Sequence, residues 1–137
     1  MSIPEGWGAR RVFSASLLAL LLLAADGRAE DPELERQIQR QDQLAGMGRT
    51  VELLNEAKAA VTSRDTAAGR YLLGRAYGLL EDLDKAREQF DWALERDATF
   101  AYAYHGLGVY QMLKGNLDSA MQEFRTAALV ADHLRSL

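Results

Sequence analysis

The stretch AAGRYLLGRAYGLLEDLDKAREQFDWALERDATF (67–100) stands directly before AYAYHGLGVYQMLKGNLDSAMQEFRTAALVADHL (101–134), and the two align without a gap. Leu73-Gly74 falls on Leu107-Gly108, Leu83-Asp84 on Leu117-Asp118, Ala86 on Ala120, Phe90 on Phe124 and Ala93 on Ala127. Small and large apolar identities held over a whole period mark an internal repeat, and such a repeat constrains the fold more than any single motif. Apolar residues in each copy recur at helical spacing, and nothing after Pro32 alternates as a strand does. The chain therefore reads as all-α, built from antiparallel helix-turn-helix repeats of 34 residues.

Packing explains why these residues recur. A glycine or alanine on a contact face lets two helix backbones approach, and a nearby Phe or Tyr fills the space left between repeats. Gly74 and Gly108 are expected as such contact points, although each costs about 1 kcal/mol of helix propensity relative to Ala. Gly115 is expected to end the first helix of the second copy, with Asn116 in the turn.

The two copies resemble tetratricopeptide repeats, whose pattern runs W-x2-L-G-x2-Y, then A-x3-F, then A and P. The first copy carries Leu73, Gly74, Tyr77, Ala86, Phe90 and Ala93; the second carries Tyr104 in the tryptophan place, then Leu107, Gly108, Ala120, Phe124 and Ala127. Departures are Arg70 for the tryptophan, Gln111 for the second tyrosine, and Ala98 and Asp132 for the prolines, so helices there are free to run on. The resemblance implies a short right-handed α-solenoid. It further implies a concave groove, lined by the first helix of each pair, that holds a peptide or partner segment. Carried over by position, the groove residues are Tyr71, Arg75, Leu79, Tyr102, His105, Val109 and Met112. The implied function is that of a protein-protein interaction module, an adaptor or assembly factor with a protein or peptide partner.

One period upstream, residues 30–66 read as a degenerate hairpin that caps the stack. Gly46-Met47-Gly48 breaks it near the middle, with one stripe at Leu34, Ile38 and Ala45 and another at Leu53, Leu54, Ala57, Ala60 and Val61. At the other end, AALVADHLRSL closes the chain without an extra polar helix. Leu129, Val130 and Leu134 are then expected to lie uncovered, and Trp92 either to be exposed on the convex side or to lie partly buried under the neighbouring helix. A homo-oligomeric scaffold stacking through this end is the alternative function.

Other chemistry finds little support. Hydrophobic residues make up 48% and charged residues 26% of the 137, with net charge −4 and no basic block, so no nucleic-acid surface is expected. The absence of cysteine excludes disulfides, thiolate nucleophiles and thiolate-bound zinc. His105 has no carboxylate or second histidine at helical spacing, and His133 is far along the chain. Gly106-Leu107-Gly108 lacks the preceding strand and third glycine of a dinucleotide fingerprint, and Lys114-Gly115 lacks the frame of a phosphate loop. No enzyme, metal or cofactor is expected.

The N-terminus reads as an address. Arg10 and Arg11 precede an apolar run from Val12 to Ala25, 14 residues long where a membrane span needs about 20. Small residues follow, so residues 1–29 are expected to be a secretory signal peptide cleaved near Ala29. An uncleaved anchor is the alternative, and the paired arginines also suit a twin-arginine route. The expected location is the periplasm or outside the cell, with no membrane span after cleavage.

Overall fold

Helix starts and stops along the chain follow local chemistry. Asp31 caps the first helix by accepting from the Leu34 amide at 3.0 Å, and Pro32 with Glu33 and Glu35 fills its first turn. Thr66 caps the third helix through the Gly69 amide at 3.0 Å. A computed structural model describes residues 31–137, and the expected leader lies outside them. The described residues form six helices and no strand: α1 (Pro32–Gly46), α2 (Thr50–Ser63), α3 (Ala67–Leu79), α4 (Leu83–Arg96), α5 (Ala101–Leu113) and α6 (Leu117–Ser136). The fold is an all-α helical repeat.

The odd-numbered helices α1, α3 and α5 all end in the same turn. Gly48, Glu81 and Gly115 adopt left-handed backbone, with φ of 73°, 64° and 83°. The next residue's amide bonds back five residues in each case, Arg49 to Leu44 at 2.8 Å, Asp82 to Tyr77 at 2.9 Å and Asn116 to Gln111 at 2.8 Å. These are Schellman caps, and glycine suits the left-handed position in two of the three. They also set the register. The two later turns are a full period apart, whereas the first is one residue closer, so hairpin 31–66 is slightly out of phase.

The two repeats pair their helices tightly. The Phe90 ring of α4 lies in a slot between two glycines: a Cβ on Gly74 of α3 or on Gly106 of α5 would stand 2.7 Å from its Cε1. Gly108 faces the other way, where a Cβ would collide with the Phe124 ring of α6. The Gly-Leu-Gly is thus a two-sided packing device that seats α5 between α4 and α6. Gly106 has a contact role that the repeat alignment does not reveal.

The first hairpin is built differently. Counted from the left-handed turn residue, Gln41 stands where the repeats have Gly74 and Gly108, and Ala57 stands where they have Phe90 and Phe124. A glutamine at the contact point keeps α1 from lying down on α2, and the two pack far less closely than the other pairs. Between them opens a cleft of about 230 Å³ with Leu53, Ala57 and Leu72 in its lining, bridged by Arg40 to Glu56 at 2.8 Å and to Glu52 at 3.3 Å. The buried stripe of α1 is Leu34, Ile38, Gln41 and Leu44, while Ala45 is half-buried and Ala60 of α2 is exposed. α2 itself stacks on α3 through Leu53 and Ala57 against Leu73 and Ala76.

The missing prolines act at one site only. α4 stops at Arg96 because Asp97 takes over, accepting from the Thr99 amide at 2.9 Å and its hydroxyl at 2.7 Å. α6 has no such stop and runs on to Ser136, well past the point equivalent to the end of α4.

Candidate functional site on the concave face

α3 and α5 lie side by side with α4 behind them, and their side chains bound an apolar cavity of about 50 Å³. Arg75 and Leu79 come from α3, His105 and Val109 from α5, and Ala86 and Phe90 from α4. Gly78 and Gly106 lack the side chains that would fill it. Arg75 is the one Lys or Arg in its lining.

The other end of the concave face is covered by α1. Leu34 and Ile38 join Tyr71, Leu72, Phe90, Tyr102 and Leu107 in one buried cluster. Beneath them the rings of Tyr71, Phe100 and Tyr102 pack mutually, with centroids 5.5 to 5.9 Å apart. Polar contacts fix the helix in place. Arg75 donates to Asp42 Oδ1 at 2.9 Å, Gln41 Oε1 at 3.3 Å and the Ile38 carbonyl at 3.4 Å. Gln41 in turn donates to the Leu72 carbonyl at 2.8 Å, and the Tyr102 hydroxyl donates to Glu35 Oε1 at 3.0 Å. Burial, reinforced by the Glu35 carboxylate, pushes the Tyr102 hydroxyl above its ordinary pKa, and burial does the same to Tyr71.

The groove residues taken from the repeat pattern therefore divide. Tyr71, Arg75 and Tyr102 are buried under or against α1, and His105 is 1% exposed, its ring 5.5 Å from Phe124. These four are occupied by the chain itself, where the pattern alone had placed them on an open groove. Leu79 and Val109 are half-buried at the cavity, and Met112 is half-buried outside its lining. Glu35, Ile38, Gln41 and Asp42 carry no signature in the repeat pattern, which is why the pattern misses them. The signal available was the glutamine standing at a contact-glycine position.

Elsewhere, Trp92 is 39% exposed but lies under two guanidiniums, Arg70 at 5.3 Å and Arg96 at 5.0 Å from the ring centroid. Both arginines also hold Asp65, Arg70 through two bonds of 2.8 and 2.9 Å. The Arg70 bonds, with help from Arg96, keep the Asp65 carboxyl well below the usual carboxylate range. Arg70 so ties the 64–66 linker to α4 from the position where the family pattern has tryptophan. On α6, Leu129 and Leu134 are exposed and Val130 is half-buried. Among the described residues no helix is long and apolar enough to cross a membrane, and no group of three His, Asp or Glu could hold a metal.

Comparison with protein families bears on the paired helices directly, because residues 67–100 match the tetratricopeptide repeat family. Residues 67–100 form a tetratricopeptide repeat. The matched repeat is α3 with α4, and α5 with the first part of α6 repeats the same arrangement. A tetratricopeptide repeat supports a protein–protein interaction module in general. No curated protein and no solved structure matches it.

Proposed function

We propose that the chain is an exported adaptor or assembly factor that binds a peptide or partner helix along the concave face of its tetratricopeptide repeats. The observation that carries this reading is the apolar cavity between α3 and α5, where Leu79 and Val109 are half-buried beside Arg75. An apolar hollow with one charged group on its wall suits an anchor residue and a fixed orientation of the bound segment. The basic and apolar leader of residues 1–29 supports export to the periplasm or beyond. The chain's residue content supports no catalytic role. The test is capture of partners from the native compartment by the wild-type chain and by Leu79→Glu/Val109→Glu, with circular dichroism confirming the helices. Partners recovered by the wild type should be lost by the variant, and identical recovery by both would refute groove binding.

A second reading, self-association through α6, draws on Leu129 at 70% and Leu134 at 45% exposure. Sedimentation of Leu129→Glu/Leu134→Glu decides it, since a scaffold would dissociate and a monomeric adaptor would be unchanged.

A further inference from the structure

α1 is the first helix of a hairpin, yet it meets α2 mainly near its C-terminal end, at Leu44 against Leu53 and Ala57, while the rest of its buried stripe meets the repeats. Gln41 holds it away from α2, and exposed ion pairs of Arg40 span the cleft of about 230 Å³ on that side. Toward the concave face it offers Leu34, Ile38 and Asp42 at successive four-residue steps, one stripe of a helix. The first two meet the aromatic cluster, and the third meets Arg75 at 2.9 Å. Glu35, beside the stripe, takes the Tyr102 hydroxyl. This is the disposition of a helix seated in a groove, with apolar anchors and a terminal charge pair.

The surface beneath is organised without it. Tyr71, Phe100 and Tyr102 contact one another from α3 and the start of α5, and α2 packs on α3 through Leu53 and Ala57 against Leu73 and Ala76, a cluster to which α1 adds Leu44. Losing α1 would uncover three aromatic rings and the Arg75 guanidinium while leaving the repeats paired through Phe90 and Phe124. The turn at Met47–Arg49, with Gly48 left-handed, is the single connection that would have to swing.

We propose that α1 is an internal ligand of the concave face, released as a unit, and that a partner helix of matching chemistry takes its place. That partner would carry two branched apolar residues four apart and, four further on, a carboxylate for Arg75. The proposal rests on the concave face being the binding surface. It differs from that reading in requiring α1 to leave, and the two fail separately.

Hydrogen exchange on the unaltered full chain tests release. The amides of α1 should exchange at least about tenfold faster than those of α3 and α5, with α2 protected like its neighbours. Equal protection of α1 and α3 would overturn the proposal, even if partner capture still responded to Leu79→Glu/Val109→Glu. Recognition is tested with a fluorescent peptide of residues 31–46 added to the full chain carrying Glu35→Ala and Asp42→Ala. These changes weaken the chain's own helix and leave Arg75 and Tyr102 in place. The peptide should bind this variant at least about tenfold tighter than wild type, and a peptide with Asp42→Lys should lose that binding. Equal binding to variant and wild type, or none to either, would overturn the ligand role of α1.

Discussion

Replacing Gly106 by alanine sets two known effects against each other at one atom. In the middle of a helix the added methyl should stabilise by about 1 kcal/mol, because glycine is the poorer helix former. At Gly106 that methyl would stand 2.7 Å from both Cε1 and Cζ of Phe90. The ring has no retreat. On its other side a Cβ at Gly74 would be just as close, and Tyr71 packs against it with centroids 5.8 Å apart. Phe90 is 5% exposed, so relief requires α5 to move away from α4. Overpacking of this kind costs about 1–3 kcal/mol, and a contact this short belongs near the upper end. Subtracting the propensity gain leaves a net loss of about 1–2 kcal/mol. In a domain of this size that lowers Tm by roughly 5–10 °C. Gly78→Ala is the internal control, since nothing lies within 4 Å of its Cβ position; it should be neutral or stabilising by up to about 0.5 kcal/mol. Urea and thermal unfolding followed by circular dichroism at the helix band would measure both. A Gly106→Ala protein as stable as wild type would refute the slot as the device that seats α5.

Further outcomes follow from the geometry. Glu81 holds φ 64° at the position where the next repeat has Gly115, so Glu81→Gly should stabilise by about 0.5–1 kcal/mol in urea unfolding. Gly115→Ala, with φ 83°, should cost about 1 kcal/mol in the same assay. Removing one partner of a fully buried ion pair costs about 3–5 kcal/mol; Asp42 keeps 30% of its side chain in water, so Arg75→Met should cost about 2 kcal/mol by the same measurement. The carboxylates divide by sign in pH-dependent unfolding. Asp65 is lowered in the folded state by its arginine bonds. Its contribution is present above the unfolded value and lost as pH falls through the folded one, so Asp65→Asn should destabilise at neutral pH and match wild type in strong acid. Glu123 is raised, first by burial and then by nearby Asp91, so Glu123→Gln should stabilise at neutral pH. That advantage should fade as pH falls through the carboxylate range and wild-type Glu123 takes up its proton. Equal pH profiles for variant and wild type would refute either assignment.

The sequence by itself determined the repeat. Leu-Gly, Ala and Phe recurring at a fixed period encode contacts between helices close in the chain, so Gly74 against Phe90 and Gly108 against Phe124 were legible from spacing alone. The turn at Gly115 was equally legible, because left-handed backbone selects glycine locally. What only the tertiary structure decided is where α1 goes. Its stripe of Leu34 and Ile38 says that one face must be buried but not against what, and the partners that answer, Tyr71, Arg75 and Tyr102, lie more than thirty residues away. Glu81 in a left-handed turn was hidden for a related reason, since its residue type argues against the conformation that the flanking helices impose. Residues that a repeat pattern would leave facing an open groove are therefore already engaged here. A local period specifies how neighbouring helices pair, whereas occupancy of the groove is settled by side chains that the period does not relate.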